Sequence, residues 1–223
     1  AQAALAASQS EVNGTVRLSM FQTAALALLP GTLRRLRSLH PQLRVEMTQR
    51  EPEIALRETW ARDFDLVVAE QYPDHAVEHF PDMEHAPLIL DPLRLAVPLG
   101  DDPAFERIRT LHDAASVPWV MEPAPAASRH WALQLCRQAD FEPDVRYESA
   151  DLQSHLQLIE AGLAVAVLPG ILGGYRAPNV RWIDLPRGPH RQIFTALRRS
   201  TVHHPAAQAV RRALEAEAAA SGM

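Results

Sequence analysis

Short strand-like segments alternate with helical segments along nearly the whole chain, and this alternation limits the folds open to it. Val16 and Leu18 alternate with polar neighbours, as in a strand with one buried face. Residues 26–39 then repeat leucine every three or four positions, as along one face of a helix. Buried strand-like runs recur at 64–69 and 164–168. The pattern predicts an α/β fold with mostly parallel sheets and right-handed crossover connections.

The least regular stretch lies between residues 72 and 86, where Pro73 and Pro81 interrupt the hydrophobic pattern. Proline removes a backbone donor, so prolines within a run argue against a strand there. This stretch is therefore predicted to be a loop, and a short strand is predicted to follow it at 93–97.

Composition and charge exclude several classes of protein. With 223 residues, 47% of them hydrophobic, the chain can form one large domain or two lobes of about 100 residues each. Its formal net charge of −5 argues against a free-standing nucleic-acid binder. Cys136 is the single cysteine, which excludes a disulfide framework and fits a reducing compartment. No apolar run in the sequence approaches the roughly 20 residues of a membrane span.

The sequence contains no Gly-x-Ser-x-Gly motif, no phosphate-binding Walker loop and no Gly-x-Gly-x-x-Gly motif. His75 and His79 have the spacing of a zinc-binding helix, but they lie between prolines, where a solvated loop is the better interpretation. Cys136 lies beside Leu133 and Leu135 in a predicted helix, which favours a buried thiol over a catalytic one. We therefore expect no catalytic residues, no metal site and no cofactor.

An ordered set of short segments resembles the effector-binding domain of LysR-type transcriptional regulators over about residues 12 to 215. In chain order the matching segments are GTVRL at 14–18, LLP at 28–30, HPQLRV at 40–45, FDLVV at 64–68, PL at 87–88 and AGLAVAVLP at 161–169. Each segment alone is ordinary, and their order and spacing carry the resemblance.

The resemblance implies two Rossmann-like lobes of the periplasmic-binding-protein type, joined by two crossover strands. Lobe I is expected to comprise residues 14–91 and 187–223, and lobe II residues 92–186. Residues 1–13 are similar to the end of the linker helix that precedes this domain in full-length family members. Those members bind DNA through an N-terminal winged helix-turn-helix, which this chain is expected to lack.

The resemblance also implies a function: ligand sensing and oligomerisation in a bacterial, cytoplasmic transcription regulator. A small-molecule effector is expected in the cleft between the lobes, and the chain is expected to form a homodimer or tetramer without a membrane contact. The helix at 26–39 and the strand at 43–48 are the candidates for the contact between copies. The alternative is a secreted solute-binding protein of the same architecture. A two-lobed enzyme would need a convergent catalytic set, which the sequence does not display.

Four effector-binding residues are carried over onto lobe I from the positions that follow its strands. Gln22 and Thr23 follow the first strand, where helix-start N–H groups and a hydroxyl suit an anion or a carbonyl; the alternative for Thr23 is that it caps the helix. Glu51 follows the second strand. Glu70 ends the third strand, where an acidic side chain suits an amine, a hydroxyl or a cationic group; the alternative is a solvated loop residue.

Three effector-binding residues are carried over onto lobe II. Ala126 and Ser128 begin a predicted helix, whose first turn is rich in donors. Asp151 begins the next helix after a strand end, where ligands of α/β sheets commonly bind; the alternative is that Asp151 only caps this helix. Acidic side chains in both lobes argue against a polyanionic effector.

Overall fold

The computed structural model describes residues 12–75, 78, 80–174 and 177–220. The predicted end of a linker helix at 1–13 lies almost wholly outside the described residues, and so does His79 of the His75–His79 pair. Within the described residues, no helix is both long enough and apolar enough to cross a membrane.

Strands and helices alternate as the sequence predicts, which confirms the α/β class. In chain order the elements are β1 (Gly14–Met20), α1 (Gln22–Leu39), β2 (Leu43–Gln49), α2 (Pro52–Trp60), β3 (Leu66–Gln71), β4 (Met83–Pro98), α3 (Pro103–Glu106), β5 (Pro118–Met121), α4 (Ala127–Gln138), β6 (Asp144–Glu148), α5 (Leu152–Glu160), β7 (Ala166–Pro169), β8 (Val180–Asp184), β9 (His190–Arg198) and α6 (Pro205–Ala220). Short 3-10 helices cover His112–Ala114, Gly170–Gly174 and Arg199–Thr201.

The chain forms two compact units. Unit 1 comprises Ala1–Glu70, Val77–Ile89 and Gln192–Met223, and unit 2 comprises Gln71–Ala76 and Leu90–Arg191. Strands β4 and β9 each contribute residues to both units, as the two predicted crossover strands would.

In unit 1 the strands are ordered β2-β1-β3-β9-β4. β1 is parallel to β2, with Gly14 opposite Leu43, and parallel to β3, with Leu18 opposite Leu66. The helices α1 and α2 connect these parallel strands in sequence. Because parallel strands end at a common edge, the segments that follow β1, β2 and β3 lie at one edge of the sheet.

The buried face of α1 is not the leucine face that the sequence suggests. Leu36 is buried, but Leu33 and Leu39 are 37% and 62% exposed. The residues that α1 buries are mostly small: Thr23, Ala24, Leu28, Gly31, Thr32 and Leu36. The helix therefore packs closely through small side chains, and leucines remain on its outer surface.

Helix α1 packs against α6, and Gly31 lies at their contact. A Cβ atom at position 31 would lie 1.8 Å from a carboxylate oxygen of Glu217. The absence of a side chain at Gly31 thus leaves room for the Glu217 carboxylate, and the buried face of α6 is rich in alanine. This close packing explains why small residues, not leucines, occupy the buried face of α1.

In unit 2, β4 pairs antiparallel with β7 and with β8, and β5 pairs parallel with β6. The core of this unit surrounds Trp119, which is fully buried and donates its indole N–H to the Ala114 carbonyl at 3.0 Å. Cys136 of α4 lies in the same core, so the predicted buried thiol is confirmed.

Strand β4 is much longer than the strand predicted at 93–97, because it begins at Met83 and runs to Pro98. The predicted loop at 72–86 is therefore wrong in its last residues. Pro87 and Pro92 lie inside the strand, and such prolines remove ladder donors that a strand normally uses. The prolines thus conceal a strand that the alternation of hydrophobic residues would otherwise reveal.

Candidate functional site

The predicted site residues of unit 1 lie at the edge where β1, β2 and β3 end. Met20, the last residue of β1, pairs with Gln49 of β2 and with Val68 of β3. The Arg50 N–H donates to the Met20 carbonyl at 3.1 Å, which ties the turn after β2 to the end of β1. Glu70 is two residues beyond Val68 along β3. The structure therefore brings the segments of Gln22, Thr23, Glu51 and Glu70 to one edge.

Gln22 and Thr23 form the first turn of α1. Phe21 has extended backbone and occupies the N-cap position, so the interpretation of Thr23 as the cap is wrong. Thr23 lies one residue further into the helix and is 1% exposed. Gln22 is half-buried and is the more accessible of the two side chains. The positive end of the α1 dipole faces this edge.

Glu51 is the N-cap residue of α2, and Pro52 takes the first helical position, which suits its fixed φ angle. Partial burial raises the pKa of the Glu51 carboxyl, and the nearby charge of Glu53 raises it further. Glu70 lies within β3 and is half-buried, so it is not the solvated loop residue of the alternative interpretation. Two carboxyl groups thus lie on segments that share this edge.

The predicted site residues of unit 2 include the start of α4. Ala126 is the N-cap residue and Ala127 begins the helix, as the sequence predicts. The Ser128 hydroxyl donates to the Glu122 carboxylate at the end of β5. Arg129 donates to the Glu122 carbonyl at 2.9 Å and forms an ion pair with Glu148 at 2.6 Å.

Asp151 caps α5, which confirms the capping interpretation. Its carboxylate accepts the Gln153 N–H at 2.9 Å and the Ser154 hydroxyl at 3.1 Å. The Ser149 hydroxyl accepts the Asp151 N–H at 3.1 Å. The side chain is therefore engaged in the first turn of its own helix, and an effector contact by Asp151 stays a prediction.

A small polar cavity lies between α4, α5 and the ends of β5 and β7. Its volume is about 20 Å³, enough for one water molecule or one ligand hydroxyl. Its polar lining consists of Glu122, Ser128, Arg129 and His155, and Val120, Met121, Ala132, Leu152 and Val167 complete it. Ser128 is thus joined by three polar residues that the sequence alone did not single out as ligands.

One ring nitrogen of His155 lies at hydrogen-bond distance from a carbonyl, and the other has no hydrogen-bond partner among the described residues. Nε2 lies 2.8 Å from the Ser149 carbonyl, which can only accept, so Nε2 carries the proton of the neutral ring. Nδ1 is then an acceptor, and it is buried without a hydrogen-bond partner among the described residues. Burial lowers the pKa of His155, against smaller opposing effects of Ser149 and Asp151. The cavity is thus lined by a neutral imidazole and by the Glu122 carboxylate.

Sequence signals for Glu122 and His155 exist but are weak. Glu122 follows β5, so the strand-end argument that selects Glu51 and Glu70 also applies to it. His155 lies on the apolar face of α5 with Leu152, Leu156 and Ile159, all of which are buried. A histidine in such a position is most often a core residue, so the acceptor role of Nδ1 becomes apparent only in three dimensions. Among the described residues, no group of three or more His, Cys, Asp or Glu could hold a metal ion.

Residues 9–219 match the family model of the LysR substrate binding domain. The chain belongs to this family. The resemblance inferred from the ordered segments is thereby confirmed. A similar protein is the transcriptional dual regulator GltC of Bacillus subtilis (strain 168), which is 27% identical over 156 residues, 70% of this chain and 51% of that protein. The chain thus spans about half the length of this curated relative.

Solved structures of LysR-type regulators have a similar fold. The effector binding domain of QuiR in complex with shikimate matches with a TM-score of 0.73 at 17% identity, covering 94% of this chain and 99% of that chain. Full-length CbnR complexed with its target DNA matches with a TM-score of 0.71 at 20% identity, covering 96% of this chain and 74% of that chain. At these identities the likeness shows the fold, and the predicted α/β fold of LysR effector-binding domains is confirmed.

Proposed function

We propose that this chain is the ligand-sensing and oligomerisation part of a LysR-type transcriptional regulator. Membership of the LysR substrate binding domain family over residues 9–219 carries the proposal. GltC is named a transcriptional regulator, the QuiR domain was solved with shikimate, and CbnR was solved with DNA. By analogy, the chain binds a small effector in the cytoplasm, acts by binding and not by catalysis, and influences DNA through a separate DNA-binding region.

The charges and acceptors of the two units favour an effector that carries hydrogen-bond donors. In unit 1, Glu51 and Glu70 place carboxyl groups at the strand edge. In unit 2, the cavity adds Glu122 and the acceptor nitrogen of His155, while Arg129 is already paired with Glu148. Carboxylates and a neutral ring nitrogen accept hydrogen bonds, and carboxylates repel a second anion. An amine or a polyhydroxylated molecule would suit such groups better than a polyanion would.

Regulation by such an effector requires a difference in affinity between two states of the protein. A ligand that binds both states equally well shifts no equilibrium, however tightly it binds. We propose that the effector favours one state of the domain, and that this state changes how copies of the regulator assemble. The contact between copies is proposed to include the outer face of α1, where Leu33 and Leu39 are exposed, and the edge strand β2.

The proposal is tested by a thermal-shift screen of amino acids, polyamines, sugars, polyols and aromatic acids. A ligand at about 100 times its Kd adds roughly 2.7 kcal/mol to the stability of the folded state. For a chain of this size, that should raise Tm on the order of 5–10 °C. We expect the hits to be amines or polyhydroxylated compounds. Hits confined to polyanions would contradict the proposed chemistry.

Two variants locate the hit within the molecule. Glu70→Gln removes a carboxylate at the strand edge and should lower the affinity for a cationic effector at least tenfold. Glu215→Gln is the matched control, because Glu215 is exposed on α6 and lies outside the candidate site. Equal affinity of both variants and the unmodified chain would show that the edge residues do not form the effector site.

A further inference from the structure

A depression on the surface of unit 1 is rich in positive charge. It has a volume of about 460 Å³ and is lined by Trp60, Arg62, Asp82, Arg198, Arg199 and Ser200. We call it the cationic depression. Three arginines and one aspartate are among its lining residues, although the whole chain carries a formal net charge of −5. Positive charge is thus concentrated at this depression, although the chain as a whole is negatively charged.

The cationic depression is separate from the strand edge of the candidate effector site. Trp60 ends α2 and Arg62 follows it, so both residues precede β3, whereas Glu70 lies near the far end of that strand. Arg199 follows the last residue of β9. A strand of six residues is roughly 20 Å long. The depression therefore lies at the end of β3 opposite to Glu70.

Two of the three arginines are available to a ligand. Arg62 and Arg199 are exposed and have no ion-pair partner in the part of the chain that the structure describes. The third, Arg198, is buried and donates through Nη1 to the carbonyls of Thr59 and Phe64. Arg198 therefore forms the fixed floor of the depression, and the two exposed arginines are the groups that can move to a ligand.

Asp65, the carboxylate that approaches Arg198, neutralises this cluster only partly. Asp65 lies 3.8 Å from Arg198, but it is held by Arg17, whose Nη2 lies 2.9 Å from the same carboxylate oxygen. Burial lowers the pKa of Arg198, and repulsion by Arg62 and Arg17 lowers it further, against the attraction of Asp65. An anion in the depression would relieve this repulsion.

An aromatic surface adjoins the exposed guanidinium groups. Trp60 is 49% exposed, and its ring packs against Phe80 with centroids 5.9 Å apart. Its position is thus fixed by the core of unit 1, while about half of the side chain faces the depression and solvent. A large exposed aromatic side chain beside arginines is typical of sites that bind flat ligands.

The backbone at both rims of the depression adopts conformations that non-glycine residues rarely use. Arg62 has a φ angle of 78° and Asp82 a φ angle of 64°. The Arg199 N–H donates to the Asp82 carbonyl at 2.7 Å, which joins these two rim segments. Left-handed backbone at non-glycine residues is costly and collects at binding sites. Arg62 directly follows the C-cap residue of α2, a position where glycine is the usual residue. Its side chain lines the depression.

We propose that the cationic depression binds a small organic anion with a flat aromatic body, its anionic group held by Arg62 and Arg199 and its ring lying on Trp60. The volume of the depression lies within the range of small-ligand sites. Guanidinium groups bind carboxylates and phosphates alike through paired N–H donors, so the shared feature is an anion of this shape. This second site would allow a ligand to act on the chain independently of the effector edge.

Phenyl phosphate is the probe, with inorganic phosphate and benzylamine as comparisons. The indole N–H resonances of the four tryptophans report binding in a 1H–15N NMR titration. Phenyl phosphate should shift the Trp60 resonance to saturation and leave that of buried Trp119 in place. Inorganic phosphate should bind at least tenfold more weakly, and benzylamine should not shift Trp60. Equal affinity for both phosphates, or an equal response to benzylamine, would overturn the proposal.

Matched arginine variants complete the test. The double variant Arg62→Gln and Arg199→Gln should lower the affinity for phenyl phosphate at least tenfold, because it removes both exposed guanidinium groups. Arg212→Gln is the control, since Arg212 is an exposed arginine of α6 that does not line the depression. Unchanged affinity in the double variant would overturn the proposal. Glu70→Gln should leave phenyl phosphate binding unchanged, which separates this site from the effector edge.

Discussion

Arg191 and Asp91 form a buried ion pair between β9 and β4, at the end of unit 2 where both strands leave it. The Nε and Nη2 atoms of Arg191 each lie 2.8 Å from Oδ2 of Asp91, and the two side chains are 1% and 2% exposed. Oδ1 of Asp91 accepts the Ile171 N–H at 2.8 Å. A Cβ on Gly170 would lie 3.2 Å from this oxygen and 2.7 Å from Pro92, so a glycine is favoured there. The pair thus ties both crossover strands to the segment after β7.

Replacing Asp91 should strongly destabilise the fold. Asp91→Asn leaves the buried Arg191 guanidinium without its carboxylate, and breaking a buried ion pair costs about 3–5 kcal/mol. Urea denaturation followed by circular dichroism measures the loss. Asp184→Asn is the control, because Asp184 is paired with Arg94 but 83% exposed, where a pair contributes about 1 kcal/mol or less. A loss below about 1 kcal/mol in Asp91→Asn would contradict a structural role for the pair.

His155 should make the stability of the chain depend on pH. Its pKa is lowered in the folded state, so folding favours the neutral ring and its stabilising effect is lost as pH falls below the ordinary value of 6.5. Tm should therefore fall more steeply between pH 7 and about 5 in the unmodified chain than in His155→Gln. The glutamine amide can still donate to the Ser149 carbonyl but does not titrate.

The comparison at pH 8 is the control for His155. The ring is neutral there in both the folded and the unfolded chain, so His155 should not contribute to any change of Tm with pH around this value. Parallel Tm curves of the two proteins from pH 8 down to pH 5 would show that His155 does not contribute to the acid sensitivity.

The order of the main helices and strands can be predicted from the sequence, because hydrophobic periodicity and the residues that begin and end these elements are local signals. The bounds of β4 do not follow, since Pro87 and Pro92 conceal the strand. The buried face of α1 is also missed. Leucine spacing indicates an apolar face but cannot distinguish the core from a surface that another copy could cover. The packing of α1 against α6 shows which face is buried.

The site is predicted less completely than the fold. Gln22, Glu51 and Glu70 are predicted from their places at or after the ends of parallel strands, and the structure brings their segments to one edge, but their contact with an effector stays a prediction. The ion pair of Asp91 with Arg191 joins residues 100 positions apart, and neither residue has a local pattern that indicates burial. His155 is a similar case. Nδ1 is left as the acceptor because Nε2 donates to the Ser149 carbonyl, and only the folded chain brings these two groups together. Contacts of this kind depend on tertiary structure and leave no periodic signal.

The outer leucines of α1 should hold copies of the chain together. The double variant Leu33→Gln and Leu39→Gln removes apolar surface from residues that are 37% and 62% exposed, so it should reduce self-association with little change in Tm. Sedimentation velocity over a range of concentrations measures the oligomeric state. Leu163→Gln is the control, because Leu163 is 46% exposed but lies in unit 2. An unchanged oligomer in the double variant would place the contact elsewhere.

Cys136 should be nearly inert in the folded chain. Burial raises the pKa of its thiol to about 12, and the charge of Glu142 adds to the effect. With a pKa of about 12, roughly one thiol in ten thousand is ionised at pH 8. The ionised thiolate is the form that reacts. A disulfide reagent that releases a coloured thiolate should therefore react with the folded chain orders of magnitude more slowly than with the chain in guanidinium. Cys136→Ala gives the background rate. Fast reaction of the folded chain would show that α4 opens locally, because the side chain is 0% exposed when the helix is packed.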